Sequence, residues 1–255
     1  MTEEILKGNE AHPVVKIGDK VHRPIEFWHP AVRDLLDYLQ SVDFPYSPKF
    51  LGVDDNGREV LSFLNGDSGK EGWKYITNDE GLYRYAKFLR TYHDAVKGYK
   101  PSEKLEWANG AKGLQKGQII CHGDFGPWNI VWDIHGNPVG IVDWDLAHPN
   151  SPEHDILYAL EYSAPFRDDK ATIKWHHFGS VPDRKRRIKI FLEAYGAPMF
   201  DDVASKVSKM QREVNDFAKY LAGRGIQPQL DWLKNGDLER GEEQARWTDD
   251  NKNLF

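Results

Sequence analysis

The chain has 255 residues, 34 Lys and Arg against 40 Asp and Glu, a formal net charge of −6 and one cysteine. That length allows one large domain or two lobes, at roughly 150 residues per domain, and the mildly acidic balance excludes strong non-specific binding to nucleic-acid phosphates. Cys121 cannot close an internal disulfide, the first residues lack a basic segment followed by an apolar one, and no apolar run approaches the ~18 residues of a membrane span. A soluble, cytosolic protein with no nucleic-acid or membrane partner is expected.

Val14–Ile17 and Lys20–Arg23 read as two strands around a tight turn at Gly18-Asp19. Pro30 then precedes Val32, Leu35, Leu36 and Leu39, whose i, i+3, i+4, i+7 spacing makes one buried helical stripe. Leu51–Val53 and Val60–Leu64 flank Asp54–Gly57, a second hairpin signal. The run Asn65-Gly66-Asp67-Ser68-Gly69 is the most linker-like in the chain. It sets the expected boundary between a β-rich lobe, residues 1–66, and a mostly helical lobe, residues 67–255. The basic run Arg184-Lys185-Arg186-Arg187 is expected to be a solvated helix face.

The chemistry concentrates in residues 118–155. An apolar strand ends at Cys121, a polar loop holds His122 to Asn129, and two short strands flank a turn at 134–138. If that hairpin is symmetric about Gly136, Asn129 faces Asp143 at its open end, with Asp124 on the incoming loop able to reach the same place. A carboxylate beside an amide oxygen is a sparse all-oxygen site, suited to Mg²⁺ once phosphate oxygens complete the octahedron. Asp124 is then a second carboxylate, available to accept a proton from an attacking hydroxyl. Asp143-Trp144-Asp145 alone also fits a metal-dependent glycosyltransferase, but that reading leaves His122-Gly123-Asp124 and Asn129 without a purpose.

His122-Gly123-Asp124, Asn129 five residues on, and Ile141-Val142-Asp143-Trp144-Asp145 resemble the catalytic and metal-binding loops of aminoglycoside phosphotransferases. The resemblance implies an α+β, bilobal protein-kinase-like fold and transfer of phosphate from ATP or GTP, with Mg²⁺, to a hydroxyl of a small molecule. It implies Asp124 as catalytic base or orienter for the acceptor hydroxyl and His122 as support for its loop. Asn129 and Asp143 would hold the metal, and Asp145 would be a further metal or substrate ligand or a plain loop carboxylate. Asp155 would brace the loop from the helix that Ser151-Pro152 opens. Backbone near Ser62, Phe63 and Leu64 would meet the adenine, and Arg23 would take the place of the phosphate-binding lysine.

Three departures from the family pattern stand out. The helix from Pro30 to Gln40 supplies no Glu to pair with Arg23, Asp34 and Asp37 being the nearest acids. The nucleotide loop, Lys7 to His12, has one glycine, and Gly126 stands where relatives often carry Lys or His. A non-catalytic relative, an immunity or nucleotide-binding protein on the same fold, is the alternative these departures suggest. The charge has a location: residues 122–155 hold six acids and no Lys or Arg, the whole of the net −6.

Overall fold

The computed structural model describes residues 3–7 and 13–255, so the expected nucleotide loop lies, past Lys7, outside the described residues. No helix in them is long and apolar enough to cross a membrane. Strands β1 (Glu3–Lys7), β2 (Val14–Ile17), β3 (Lys20–Arg23), β4 (Phe50–Val53) and β5 (Glu59–Ser62) form one antiparallel sheet in the order β1-β2-β3-β5-β4. Gly18, at φ 63°, makes the β2–β3 turn. In the β4–β5 turn the Asp54 carboxylate accepts from the amides of Asn56 and Arg58, both at 2.9 Å. Strand β1 has no alternating pattern of its own; it is an edge strand held by its pairing with β2.

Helix α1 (His29–Ser41) carries the expected stripe: Val32, Leu35, Leu36 and Leu39 are fully buried, and the helix contacts β4 and the turn Trp144–Leu146. A 3₁₀ turn, Gly69–Ile76, leads to the remaining strands and α-helices, α2 (Asp79–Val96), β6 (Ile119–Cys121), β7 (Ile130–Trp132), β8 (Pro138–Ile141), β9 (His148–Asn150), α3 (Glu153–Ser163), α4 (Asp169–Trp175), α5 (Arg184–Tyr195), α6 (Val203–Gly223), α7 (Gln229–Lys234) and α8 (Asp237–Asp250). β6 pairs with β9 and β7 with β8. One apolar core runs from α1 through α2 and the β6–β8 region to α5 and α6. The architecture is α+β, with the sheet in the N-terminal quarter and helices dominating after residue 79.

Two local expectations are corrected, the β7–β8 register and the solvated basic run, and the linker-like run has a tertiary tie. The linker-like run is stitched to β7, since Asp67 and Trp132 exchange two backbone hydrogen bonds of 2.8 Å. Gly66 has to be glycine there, because a Cβ would sit 2.4 Å from the Trp132 carbonyl oxygen. The β7–β8 register differs by one residue: Ile130 faces Ile141, and the Asn129 carbonyl accepts from the Val142 amide, so Asp143 lies one residue past the partner of Asn129. The cause is the Asp133 carboxylate, which caps the amides of His135 and Asn137 at 2.8 Å and centres the turn on His135, together with a bulge at Val131/Trp132.

The basic run is only half solvated. Arg184 and Arg187 are buried, Arg187 donating to the carbonyls of Ser163, Ile76 and Thr77, and Arg184 to those of Pro165 and Arg167. These carbonyls lie where helical turns end and need donors, which a guanidinium fork supplies in multiples. Burial pushes Arg187 down to about 10.

Candidate active site

The loop after β6 is shaped by Gly123, at φ 78°, where a Cβ would meet the Leu146 carbonyl oxygen at 2.1 Å. Asp155, fully buried in the first turn of α3, accepts from the His122 amide at 2.7 Å and the Gly123 amide at 2.9 Å. Burial alone would raise its carboxyl, but the His93 ring, donating from Nε2 at 3.1 Å, holds it well below the ordinary carboxylate range. His122 is buried and kept towards the neutral form by that burial. Its Nδ1 accepts from the Asp124 amide at 3.3 Å, so Nε2 carries the proton and donates to the Val142 carbonyl at 3.1 Å. This ring ties the Asp124 loop to the β8 end and has no proton to exchange with a ligand.

The Asp124 carboxylate accepts from Tyr158 Oη at 2.5 Å, from Asn129 Nδ2 at 2.8 Å and from Trp128 Nε1 at 3.5 Å. Asn129 Nδ2 also reaches the Asp124 carbonyl at 2.9 Å, which leaves the amide oxygen as the end of Asn129 suited to a cation. Asp143 is in the left-handed region at φ 61°, ψ 65°, a conformation that Asp tolerates better than most side chains, and a 3₁₀ turn, Trp144–Leu146, follows at once. Such a backbone at a loop of this kind is a common mark of a functional position.

From the sheet side comes Arg23. The β3–β5 register sets Arg23 opposite Glu59, and their side chains bond at 2.6 Å, Nε to Oε2. Arg23 Nη1 also donates to Asp145 at 2.6 Å, and Arg33 of α1 donates to the second Glu59 oxygen at 2.6 Å. The acid that pairs with Arg23 therefore comes from β5, not from α1; Asp34 instead binds the Tyr99 hydroxyl. Asp145 likewise serves as an ion-pair partner of Arg23. Burial would lower the Arg23 pKa, but the charges of Asp145 and Glu59 raise it above its ordinary value.

At the proposed adenine segment, the Ser62 and Phe63 amides donate to the Lys49 and Asp19 carbonyls and are spent on the sheet. Leu64 packs towards Gly140, where a Cβ would meet its Cδ1 at 2.7 Å. Of the tryptophans near the site, Trp132 and Trp144 are buried, against Tyr75 and His122 respectively; Trp128 is part-exposed. Its ring covers Gly126, where a Cβ would come within 2.3 Å of it.

A model of the phosphotransferase enzyme family matches residues 100–188, the segment that holds this loop. The trifolitoxin immunity protein of Rhizobium leguminosarum bv. trifolii is 34% identical over 202 residues, covering 77% of this chain and 75% of that protein. The chain belongs to the phosphotransferase enzyme family. Among solved structures, amicoumacin kinase in complex with AMP-PNP, Ca²⁺ and its ligand matches with TM-score 0.61 at 13% identity, over 98% of this chain and 88% of that one. An aminoglycoside phosphotransferase solved with GDP and kanamycin matches with TM-score 0.59 at 14% identity, over 98% and 93%. The fold of this family member is thus protein-kinase-like.

Against the family pattern, sequence reasoning missed Glu59, Tyr158 and His93. Glu59 precedes the expected strand Val60–Leu64, and its role depends on the β3–β5 register. Tyr158 falls on the second turn of a helix whose orientation depends on Asp155 being anchored under the loop. His93, in the last turn of α2, is buried and bridges Asp155 and the Tyr195 hydroxyl, the latter at 2.7 Å.

Proposed function

We propose that the protein transfers the γ-phosphate of ATP or GTP to a hydroxyl of a small molecule, with Mg²⁺ as the cation. The observation that carries this reading is the convergence of Asp124, Asn129 and Asp143 at one end of the β7–β8 hairpin, with the buried Arg23 guanidinium bonded to Asp145 two residues on. The donors suit the ligands. An Asp carboxylate and an Asn amide oxygen are the hard oxygen donors that Mg²⁺ takes. Arg23 Nη2 is buried without a hydrogen-bond partner among the described residues, and a phosphate oxygen would satisfy it.

Asn129 and Asp143 would hold the metal, which when bound neutralises charge on the nucleotide phosphates. Arg23, fixed by Glu59 and Asp145, presents Nη2 to the same phosphates. Asp124 Oδ accepts the proton of the acceptor hydroxyl as that oxygen attacks, while Tyr158 and Asn129 keep the carboxylate oriented. His122 and Asp155 hold the loop and take no proton. The test is a nucleotide-consumption screen against aminoglycosides, amino alcohols and sugars, with Asp124→Asn as control. Turnover that is unchanged in the variant would rule out the role given to Asp124.

The name of the 34% identical relative supports a second reading, protection against a toxin by binding without transfer. Calorimetry separates the two: Mg²⁺–nucleotide binding with no transfer to any acceptor would favour the second.

A further inference from the structure

His29, the first residue of α1, is a buried ring beside the Arg23–Asp145 pair, on the helix that packs against the Trp144–Leu146 turn. Its Nδ1 accepts from the Glu26 amide at 3.1 Å, so Nε2 is the nitrogen that carries a proton. His29 Nε2 has no hydrogen-bond partner among the described residues, and neither has Arg23 Nη2. Both side chains approach one atom: Asp145 Oδ1 lies 2.6 Å from Arg23 Nη1 and 3.4 Å from His29 Nε2. The backbone at the start of α1 takes no part, since the Ala31 and Val32 amides donate to the Trp28 carbonyl.

The Asp145 side chain is 34% exposed, against 9% for Arg23 and 1% for His29, so a part-exposed carboxylate lies on buried donors. Arg23 and Arg33 share Glu59, and Asp145 balances the second positive charge. Asp143 also acts on Arg23, more weakly than Asp145 and Glu59. With Asp145 turned away, Glu59 would still hold the guanidinium at Nε, while Arg23 Nη1 and His29 Nε2 would both lack an acceptor. A carboxylate and a phosphate each present two oxygens on one centre, and a guanidinium fork takes either. Resting on the phosphotransferase reading above, we propose that Asp145 occupies the seat of a nucleotide phosphate, which on binding displaces it and accepts from Arg23 Nη1 and His29 Nε2. Arg23 Nη2 is available to the phosphates whether Asp145 is in place or not.

Calorimetry of the full chain with AMP-PNP in the absence of Mg²⁺ tests this. Asp145→Ala should tighten metal-free binding about tenfold, and adding His29→Phe to that variant should weaken it again by about threefold or more. The double variant separates an emptied seat from plain relief of charge repulsion, which does not need the His29 N–H. The proposal is overturned if Asp145→Ala tightens binding by less than about threefold, or if the double variant stays within about threefold of Asp145→Ala. The wild type gives a reading that needs neither alanine variant to fold: in ¹⁵N-histidine NMR the His29 Nε2 signal, assigned by its absence from His29→Phe, should move when Mg²⁺ and AMP-PNP are added, and an unmoved signal overturns the proposal as well. Mg²⁺–AMP-PNP that binds the wild type while any of these results fails overturns the seat alone; AMP-PNP bound by no variant, with or without Mg²⁺, overturns the phosphotransferase reading with it.

Discussion

Replacing Glu59 by Gln removes one charge and leaves the shape. Glu59 has no exposed surface and receives Arg23 and Arg33, each at 2.6 Å, with the His29 ring at 3.5 Å. Glutamine has a single acceptor oxygen and would turn an NH₂ group towards one of the two guanidiniums. Breaking a buried ion pair typically costs 3–5 kcal/mol, because the surviving charge stays buried without its partner. Two features move the expectation to the lower end: Asp145 still neutralises Arg23, and the Arg33 side chain keeps 22% of its exposure to water. A loss of about 3 kcal/mol follows, or roughly 6–12 °C in Tm for a chain of this size. Thermal melts followed by circular dichroism measure it. The loss should persist at high salt, since a buried pair is weakly screened. Glu59→Asp, which keeps the charge, should recover part of it. A Glu59→Gln variant melting within about 2 °C of the wild type would refute the reasoning, because that is less than one kcal/mol for a chain this long.

Arg23→Lys keeps the charge but cannot bond Glu59 and Asp145 while also offering a third donor in a fixed fork, so the nucleotide KM should rise about tenfold with kcat less affected; an unchanged KM contradicts the role. Asp155→Asn should weaken the hold on the His122 and Gly123 amides and cost about 2–3 kcal/mol in urea unfolding, since hydrogen bonds to a charged group are the strong ones. Burial holds His154 down to about 4 and His176 to about 3. The unfolded chain binds those protons below its ordinary histidine pKa of about 6.5 and the folded chain does not, so stability is full above that pH and falls by ~2 kcal/mol per group on reaching pH 5. His154→Gln should flatten this slope in melts taken between pH 7 and pH 5, and an unaltered slope counts against the assignment. Gly123→Ala, with its Cβ 2.1 Å from the Leu146 carbonyl oxygen and φ in the left-handed region, should abolish transfer and lower Tm.

The parts of this molecule legible in the sequence are those specified locally. The turns at Gly18 and Asp54–Gly57, the stripe of α1 and the loop–hairpin segment after Cys121 each carry their signal within a few residues. The β7–β8 register departs by one residue from a hairpin symmetric about Gly136, because Asp133 folds its carboxylate onto two amides and recentres the turn. Contacts between distant segments were out of reach. Glu59 becomes the partner of Arg23 only when β5 lies against β3, and Arg187 becomes a buried donor only when the ends of α3 and the 69–76 turn meet α5. The sequence showed an acid missing from α1, and the fold supplies one from the neighbouring strand.

The central claim is phosphoryl transfer at Asp124, and following the label of γ-³²P nucleotide with Mg²⁺ into acceptor or water, for wild type and Asp124→Asn, tests it most directly. A positioned general base contributes about 10²–10⁴-fold, so labelled product from the wild type should fall by that factor in the variant while Mg²⁺–nucleotide binding is retained. Transfer at the wild-type rate by Asp124→Asn, or nucleotide bound by the wild type with no label moved to any acceptor, would contradict it.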